Sequence, residues 1–511
     1  MLTAETKITT QSRFPDILDC IANLSSSEVF TPKTVVNNIL DNLPPEVWTN
    51  PDLKWLEPAP KTGIFLREIT KRLMVSLTPS IPDPKHRIKH ILTNMLYGLP
   101  TSEITALMSR RTLYTAKDPS LIINYSKSNT VQSLIQMATN NGNLPYQRTE
   151  HTYKSEHCIY CGAKQGQYDG TDRDGRENYA YSFIHNHQLL TTMKFDVIIG
   201  NPPYQIVDDG FGASAKPIYQ LFVQMAISLN PKYISMIIPS RWFAGGKGLD
   251  EFRKQMLDDR RIKVLVDYPN ANDCFPGVEI KGGVCYFLWD KSHKGECVVK
   301  TMTGDEITSE DTRSLGGQGV FIRQNEAISI LAKVQKQQEP TLENKVSSQK
   351  PFGFRTFFDE FEAVTFENAV KIYARGRQGY LSRDKVVVNP QLIDKYKVLA
   401  SKAYNGGDAR PHQIIGKPIV TTPNSCCTMT YLVINTFETE AEATNMASYL
   451  RTKFVRFLIS LKKNTQDLKQ TKFAFVPDLD MNTLWTDEML FQRYGLTDEE
   501  VAFIHSIVKE M

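Results

Sequence analysis

Four consecutive residues, Asn201-Pro202-Pro203-Tyr204, combine groups that could orient a planar amine for chemical attack. The Asn side-chain oxygen and the backbone carbonyl after it can each accept one hydrogen from an exocyclic amine such as adenine N6, which directs the nitrogen lone pair toward a methyl donor. The two prolines fix the backbone that aims these acceptors. Tyr204 offers a ring against which a base swung out of a duplex could stack. We interpret this catalytic loop as a methyl-transfer site, although Asn-Pro and Pro-Pro also mark ordinary turns.

The catalytic loop must be held by regular elements, and the sequence predicts them on both sides. An apolar segment, residues 195–200, leads directly into Asn201. Strands and helices then alternate, which predicts a Rossmann-like, doubly wound α/β sheet. The predicted elements are strand 195–200, helix 217–229, strand 233–239, helix 249–258, strand 262–267 and strand 283–289.

An earlier strand-loop-helix unit is predicted upstream in the same sheet. A short buried strand at residues 53–57 precedes a Pro-rich loop and a helix over residues 64–73. Before this unit, Thr31 could cap an amphipathic helix that starts with Pro32. Apolar residues at helical spacing also predict one long helical region over residues 85–113.

The strand and its loop together, Phe195-Asp196-Val197-Ile198-Ile199-Gly200-Asn201-Pro202-Pro203-Tyr204-Gln205, resemble the signature of the adenine-specific (N6) DNA methyltransferases. The resemblance is greatest to restriction-modification methylases of the Eco57I-like class and covers roughly residues 28–289. It implies S-adenosylmethionine as methyl donor, double-stranded DNA as substrate and flipping of the target base. It also implies that Asn201, Pro202, Pro203 and Tyr204 are catalytic.

The same resemblance implies where the cofactor would bind. Phe30, Thr31 and Pro32 would pack over its methionine part, and Asn201 would border it. The family usually has an acidic residue for the ribose hydroxyls near Pro100, which cannot serve, so Glu103 is the substitute that we consider. Asn143 would contact the adenine of the cofactor.

The cofactor loop implied by the resemblance is Glu57-Pro58-Ala59-Pro60-Lys61-Thr62-Gly63. The family pattern is Asp-Pro-Ala-Cys-Gly-Ser-Gly, so the first, fourth and fifth positions depart from it. Glu57 keeps a carboxylate for the ammonium group of the cofactor, Ala59 is unchanged, and Gly63 allows close approach of the backbone. Lys61 narrows the loop.

A segment later in the chain, Cys274-Phe275-Pro276-Gly277, resembles the family segment whose Phe faces the target base. Phe275 and Tyr204 would then enclose adenine between two rings, and stacking of this kind contributes about 1–3 kcal/mol per base. The alternative is a turn that buries Phe275 in the core.

A metal site is predicted between the two halves of the core, where Cys158 and Cys161 have the spacing of a zinc knuckle. His151 or His157 upstream and His185 or His187 downstream could complete a tetrahedral, structural site. We predict the set His151, Cys158, Cys161 and His185. A bound Zn²⁺ would stabilise a segment that has few apolar residues. A redox pair and two unrelated thiols are the alternatives.

The C-terminal third has a local excess of basic residues and is interpreted as a DNA-recognition domain. Between residues 371 and 417, ten Lys and Arg residues face three Asp residues, with Tyr and Gly interleaved, and residues 461–466 form a second patch. A charge run can also be only a solvated face. No nuclease motif stands out, so a separate restriction endonuclease is the partner that we consider for DNA cleavage.

These observations predict four parts in the 511-residue chain. They are residues 1–145 (core with cofactor loop), 146–190 (zinc-knuckle insertion), 191–325 (catalytic part of the core) and 326–511 (α+β target-recognition domain).

Composition limits the class of protein. With 41% hydrophobic and 23% charged residues the chain is typical of a globular protein, and no apolar run reaches the roughly 20 residues of a membrane span. No secretory signal is visible, so we expect a cytoplasmic protein with reduced cysteines. A net charge of +4 alone does not establish a nucleic-acid partner.

Two other functions remain open from the sequence. A protein glutamine N-methyltransferase would use the same loop on a chemically similar nitrogen, although the basic C-terminal region favours DNA. A DNA-binding subunit that has lost the cofactor is suggested by Lys61 and Pro100. Binding of labelled cofactor distinguishes this subunit from an enzyme.

Overall fold

A computed structural model describes residues 29–121, 134–166, 180–185, 188–206, 216–245, 248–404, 411–463 and 467–511. Within this part of the chain there are two compact units. Unit 1 comprises Met1–Trp242 and Gly246–Gly317, and unit 2 comprises Phe243–Gly245 and Gln318–Met511. The main division therefore falls shortly before the boundary expected at residues 325 and 326.

Unit 1 is an α/β unit whose largest sheet has eight strands. The helices of unit 1 are α1 (Lys33–Asp41), α2 (Glu46–Thr49), α3 (Ile64–Ser76), α4 (Pro84–His90), α5 (Glu103–Tyr114), α6 (Gln188–Thr192), α7 (Tyr219–Ser228) and α8 (Asp250–Asp258). The strands are β1 (Trp55–Glu57), β2 (Leu96–Gly98), β3 (Tyr153–Lys154), β4 (His157–Cys158), β5 (Val197–Gly200), β6 (Gln205–Ile206), β7 (Lys216–Pro217), β8 (Tyr233–Pro239), β9 (Ile262–Tyr268), β10 (Val284–Asp290), β11 (Cys297–Thr303) and β12 (Glu306–Arg313).

The large sheet is mixed and has the strand order β12-β11-β9-β10-β8-β5-β1-β2. Strands β2, β1, β5 and β8 are parallel neighbours, whereas β10 lies antiparallel between β8 and β9. All four residues of β5 are buried, as expected for a continuous apolar strand covered on both faces. The α/β class predicted from the alternating pattern is confirmed. Parallel pairing brings the carboxyl ends of β1 and β5, and so Glu57 and the catalytic loop, to one edge of the sheet.

The prediction of one long helix over residues 85–113 is wrong. Helix α4 is followed by a π-helical turn, Ile91–Met95, and then by β2, which pairs in parallel with β1. Gly98 is the last residue of β2. Glycine is needed there because a Cβ would lie 2.7 Å from Leu144 Cδ2 and 2.9 Å from Pro60 Cγ. A three-residue strand that is decided by pairing with a distant segment leaves no period in the local sequence.

Unit 2 combines helices with two small sheets, of strand order β14-β13-β17 and β16-β15-β18. Its strands are β13 (Ala369–Ala374), β14 (Arg377–Ser382), β15 (Tyr396–Ser401), β16 (Ile419–Thr421), β17 (Ser425–Cys427) and β18 (Tyr431–Phe437). Its helices are α9 (Glu326–Lys336), α10 (Glu440–Arg451), α11 (Lys453–Lys462), α12 (Asp487–Tyr494) and α13 (Asp498–Ile507). Helix α10 packs on β15 and β18, and capping boxes at Thr439 and Thr497 fix the starts of α10 and α13.

Two further expectations concern membranes and thiols. In the part of the chain that the structure describes, no helix is both long and apolar enough to cross a bilayer. None of the cysteines in that part forms a disulfide.

Candidate active site and metal-ligand cluster

A cleft opens at the edge of the sheet where β1 and β5 end. Strand β1 ends at Glu57, and Asn201 follows β5 directly. The two strand ends can approach because Gly200 has no side chain, since a Cβ there would lie 3.2 Å from Glu57 Cγ. The empty space of the cleft, counted together with the solvent at its mouth, is about 210 Å³. Its lining residues are Phe30, Thr31, Glu57, Ala59, Lys61, Thr62, Ile64, Phe65 and Asn201.

The Asn201 amide has a fixed orientation. Its Nδ2 donates to the Val29 carbonyl at 3.0 Å and to Thr31 Oγ1 at 3.0 Å. A carbonyl can only accept, so the nitrogen must face Val29 and the oxygen must face away. Asn201 Oδ1 is buried and has no hydrogen-bond partner among the described residues. Leaving a buried acceptor unpaired costs about 1–3 kcal/mol, so this oxygen is available for a donor that a ligand would bring.

The remaining residues of the catalytic loop are also buried, and Tyr204 is only 6% exposed. Burial raises the pKa of Tyr204 well above its usual value, although the side chain of Asn201 next to the hydroxyl lowers it. Phe275 is 1% exposed and belongs to the same hydrophobic cluster as Tyr204. The structure therefore brings both predicted stacking residues into one core region, and their role toward a base stays a prediction.

One acidic and one basic side chain are buried in the cleft. Burial raises the pKa of Glu57 to about 8, although the nearby Lys61 ammonium lowers it. Glu57 Oε2 has no hydrogen-bond partner in the described part of the chain. Lys61 Nζ donates to the Val29 carbonyl at 2.9 Å and lies 5.9 Å from the centre of the Tyr204 ring. The pair thus offers one acidic and one basic group within a small, partly closed space.

The segment before α1 closes one side of the cleft. Phe30 and Thr31 line it, while Pro32 precedes the first residue of α1. The expectation that Thr31 caps this helix is wrong, because α1 has no side-chain cap and Thr31 Oγ1 instead accepts a hydrogen bond from Asn201.

Gly63 begins α3 with a left-handed backbone (φ 78°), and a Cβ there would lie 2.9 Å from Ser109 Cα. Glycine is therefore required for the turn and for the close approach of α5.

The two residues predicted to hold the rest of the cofactor lie elsewhere along the edge. Glu103 is exposed in the first turn of α5 and does not line the cleft. Asn143 lies next to the end of β2, where its carbonyl accepts from Gly98 N at 3.0 Å. Its Nδ2 donates to three backbone carbonyls at 3.0–3.2 Å, so this nitrogen already serves the fold.

A separate cluster brings together His151, Cys158, Cys161 and His185, whose ligand atoms lie within 4.8 Å of one another. Cys158 Sγ is 3.5 Å from His185 Nε2, and Cys161 Sγ is 3.4 Å from His151 Nδ1. Tetrahedral Zn²⁺ with bonds of about 2.3 Å to sulfur and 2.0 Å to nitrogen separates such atoms by about 3.5 Å. The two sulfur–nitrogen separations therefore match those expected around tetrahedral Zn²⁺.

The protonation of His185 and Cys158 also suits a metal, whereas burial raises the pKa of Cys161 to about 12. Burial lowers the pKa of His185 to about 4, and its Nδ1 lies 2.9 Å from the Tyr181 carbonyl. A neutral ring that donates from Nδ1 leaves the Nε2 lone pair for a metal ion. Burial tends to raise the pKa of Cys158, but the backbone N–H groups of Cys161 and Tyr160 bring it down to about 7. His157 is exposed, and His187 lies outside the described residues.

In the basic segment of unit 2, residues 371–417, several of the cations counted in the sequence are buried or paired with carboxylates in the fold. Lys397 is 1% exposed and donates to the Leu392, Ile393 and Lys395 carbonyls. Other cations among the described residues of the segment form ion pairs, namely Arg383 with Asp394, Lys395 with Glu438, and Lys385 with Glu360. Residues 405–410 lie outside the described chain.

An exposed part of the basic segment remains at the turn between β13 and β14. Arg375 and Arg377 are exposed there, and each guanidinium lies over a Phe ring. The ring under Arg375 is that of Phe357, which is 78% exposed. In the second patch, Lys462 Nζ lies 4.5 Å from the Phe475 ring centre, while residues 464–466 are outside the described chain.

Two residues at these sites, Val29 and Lys216, were not singled out by sequence reasoning, and Lys61 was singled out only as a departure from the family pattern. Val29 accepts hydrogen bonds from both Lys61 and Asn201, Lys61 lines the cleft, and Lys216 contacts the metal-ligand cluster. A backbone acceptor leaves no sequence signal. The departure of Lys61 from the family pattern was a sequence signal, but it did not indicate which role Lys61 has.

Comparisons with known proteins agree on one family. The family described as Eco57I restriction-modification methylase matches residues 94–275. A protein from Mycoplasma pneumoniae (strain ATCC 29342 / M129 / Subtype 1), named "Uncharacterized adenine-specific methylase", is 40% identical over 309 residues. The match covers 56% of this chain and 72% of that protein.

Solved structures give weaker similarities. The nuclease-deletion mutant of the Type ISP restriction-modification enzyme LlaGI, in complex with a DNA substrate mimic, is 11% identical, with 86% of this chain and 45% of that chain covered and a TM-score of 0.49. The Type IIL restriction-modification enzyme MmeI, in complex with DNA, is 10% identical, with 92% and 74% covered and a TM-score of 0.46. The chain spans about half the length of several solved structures that it matches. TM-scores below 0.5 support no argument about this chain.

Proposed function

Since the chain belongs to the adenine-specific methylase family of the restriction-modification type, we propose that it methylates N6 of adenine in double-stranded DNA from S-adenosylmethionine, through the catalytic loop described above. The observation that carries the proposal is the buried Asn201 Oδ1, an acceptor without a partner in the described chain, on an amide whose orientation is fixed by Val29 and Thr31.

The cleft residues fit the methionine end of the cofactor, which carries an ammonium and a carboxylate. Glu57 would accept the ammonium group once it has lost its proton, and Lys61 would pair with the carboxylate, since the cleft holds one acidic and one basic side chain. Phe30 and Thr31 would cover this part. When bound, the cofactor supplies an electrophilic methyl group. Glu103 and Asn143 stay predictions for its ribose and adenine.

The catalytic loop would act on the target amine by positioning. Asn201 Oδ1 and the carbonyl of Pro202 each accept one N6 hydrogen, which concentrates the lone pair on the side that faces the methyl donor. Pro203 holds that carbonyl in place. Tyr204 and Phe275 would stack against the flipped base. The loop adds no general base, because the amine loses its proton after the transfer.

For the DNA itself, we assign the contacts of unit 2 to the turn between β13 and β14. Arg375 and Arg377 are the exposed cations of that turn, and Phe357 adds an exposed ring next to Arg375. Guanidinium groups suit phosphates and guanine edges. If the same system also cleaves DNA, we assign the cleavage to a separate restriction endonuclease.

We also propose that His151, Cys158, Cys161 and His185 bind one structural Zn²⁺. The thiol and imidazole set with sulfur-nitrogen distances of 3.4 and 3.5 Å supports this metal. Four protein ligands leave no open position, so the ion would stabilise the fold and not take part in methyl transfer. Elemental analysis of the purified chain should give one zinc per molecule, and a Cys161→Ser variant with unchanged zinc content would contradict the assignment.

The function is tested by methyl transfer from tritiated S-adenosylmethionine to unmethylated duplex DNA. We expect label in N6-methyladenine with the native chain, and a rate at least about 100-fold lower with Asn201→Ala, because the loss of one positioned polar group costs 10²–10³ in rate. Asn482→Ala, an exposed amide of unit 2, is the matched control and should keep full activity.

Two outcomes would favour the other functions. Label in a glutamine amide of a protein and not in DNA would identify a protein methyltransferase. A folded chain that retains DNA but fails to bind labelled cofactor in equilibrium dialysis would identify a DNA-binding subunit.

A further inference from the structure

The hairpin formed by β6 and β7 connects the catalytic loop to the metal-ligand cluster. Strand β6 follows Tyr204 directly and pairs with β7, with Gln205 opposite Pro217 and Ile206 opposite Lys216. The next residue along the chain, Ile218, donates its N–H to the Tyr204 carbonyl at 3.1 Å. The backbone of Tyr204 is therefore held from the β7 side.

Lys216 reaches from this hairpin to the turn that carries both cysteines. Its Nζ donates to the Cys161 carbonyl at 3.1 Å and to the Gly162 carbonyl at 3.4 Å. Gly162 has a left-handed backbone (φ 67°), and a Cβ there would lie 2.8 Å from Lys216 Nζ. Glycine at this position thus permits both the turn and the approach of the ammonium group.

The other half of the ligand set touches the element that follows the hairpin. Tyr181 and Phe183, on the segment that carries His185, pack against Phe222 of α7. The Phe183 and Phe222 rings are stacked, with centres 5.5 Å apart. Helix α7 begins shortly after β7, so the two halves contact the chain on either side of Ile218. A metal ion would join the turn that carries Cys158 and Cys161 to the segment that carries His185. The contacts of these two segments with Lys216 and with α7 would then form a closed circuit.

We infer that the metal-ligand cluster braces the catalytic loop, with Lys216 as the positioning residue that transmits the brace to Tyr204. The inference rests on the proposed methyl-transfer function and names a second determinant of it. The cofactor cleft is held differently, through the hydrogen bonds of Lys61 and Asn201 to Val29. Loss of the brace should therefore lower the rate of methyl transfer and leave cofactor binding intact.

The first test compares Lys216→Met, Lys216→Arg and the control Lys294→Met, an exposed lysine of unit 1. Removal of the ammonium group should lower kcat about 10-fold, the effect of one lost hydrogen bond to a charged donor. KM for S-adenosylmethionine and zinc content should not change. Arginine keeps the donor and should restore most of kcat, and Lys294→Met should match the native chain.

The second test removes the metal from the full chain with a chelator. We expect kcat to fall more than 10-fold, the dissociation constant of S-adenosylmethionine to stay within about 2-fold, and activity to return with added Zn²⁺. Lys216→Met with native kcat, or a zinc-free chain that is folded and fully active, would overturn the brace. A native chain that binds zinc and cofactor but methylates no DNA would overturn the proposed function, and the positioning role with it.

Discussion

The catalytic loop leaves a polar group without a partner in the described chain, whereas the basic segment of unit 2 uses polar groups to hold the fold. In the loop, Asn201 is fixed through its nitrogen, and its oxygen is left without a partner in the described chain. In the basic segment, Lys397 is buried and Arg383 is paired with Asp394, so these cations serve the fold. The difference shows that a short motif held by prolines at a strand end retains its chemistry, whereas a count of basic residues overstates the charge that a ligand can meet.

The largest effect that would sharpen this comparison concerns Glu57, a buried group that the fold leaves partly unpaired. We expect Glu57→Gln to weaken binding of S-adenosylmethionine roughly 10- to 100-fold, the equivalent of one charge-assisted hydrogen bond of about 1.5–3 kcal/mol. Equilibrium dialysis measures the affinity. Ser109→Ala, next to Gly63 but outside the cleft lining, is a suitable control.

The same carboxyl makes binding depend on pH. Its pKa of about 8 lies above the ordinary 4.5, so at pH 7 the folded chain without cofactor holds this proton. Between these values the folded state binds more protons than the unfolded state, and the contribution of Glu57 to stability falls as the pH rises through about 8. An ammonium ligand favours the carboxylate, so binding at pH 7 should release close to one proton. Calorimetry in two buffers measures this release, which Glu57→Gln should abolish.

The next effect tests the other side of the comparison, at Lys397. Lys397→Met removes the donor to three carbonyls, and we expect the free energy of unfolding to fall by about 1–3 kcal/mol with unchanged DNA affinity. Lys371→Met is the matched substitution at a less buried lysine of β13 and should leave stability within about 0.5 kcal/mol. Denaturant unfolding and a DNA-binding titration provide the two readouts. A loss of DNA affinity without a loss of stability would break the comparison.

A smaller effect is expected at Thr31, which orients the Asn201 amide. Thr31→Val keeps the shape but removes the acceptor, so single-turnover methyl transfer should slow about 5- to 10-fold, equivalent to about 1–1.5 kcal/mol. Thr31→Ser keeps the hydroxyl and should remain close to the native rate. Equal rates for the Val and Ser variants would mean that Val29 alone orients the amide.

The smallest effect is expected at the exposed turn of unit 2. Arg377→Ala should weaken DNA binding only a few-fold and reduce the slope of log affinity against log salt by about 1, as for one lost phosphate contact. Arg383→Ala serves as the control because Arg383 is already paired with Asp394. Binding titrations at several salt concentrations check this, and equal slopes for both variants would count against the turn as a DNA contact.

The sequence was sufficient for the α/β class and for the adenine-methylase function, and both are confirmed. Strand β8 was predicted to the residue, because Tyr233–Pro239 is an apolar run of strand length between clear breaks. Strand β2 was missed because it exists only through pairing with β1. The choice among the histidines of the metal-ligand cluster could not follow from spacing alone, since His185 comes to Cys158 from a distant part of the chain.

Side-chain pairing was the hardest feature to predict. The composition of residues 371–417 does not distinguish the buried Lys397 from the exposed Arg377, because it counts both simply as cations. Whether such a cation is buried or exposed depends on which carbonyls and carboxylates the folded chain brings within hydrogen-bond distance. Long cationic side chains can satisfy either a fold or a ligand, and local sequence does not decide between them.

The Val29 carbonyl accepts hydrogen bonds from Lys61 of the cofactor loop and from Asn201 of the catalytic loop. A displacement of this one oxygen would change both contacts at once, so a ligand of the cleft and a ligand of the catalytic loop would act on one shared group. If S-adenosylmethionine in the cleft changes the affinity for a flipped adenine by some factor, DNA must change the affinity for S-adenosylmethionine by the same factor. We expect any such coupling to originate at the shared acceptor.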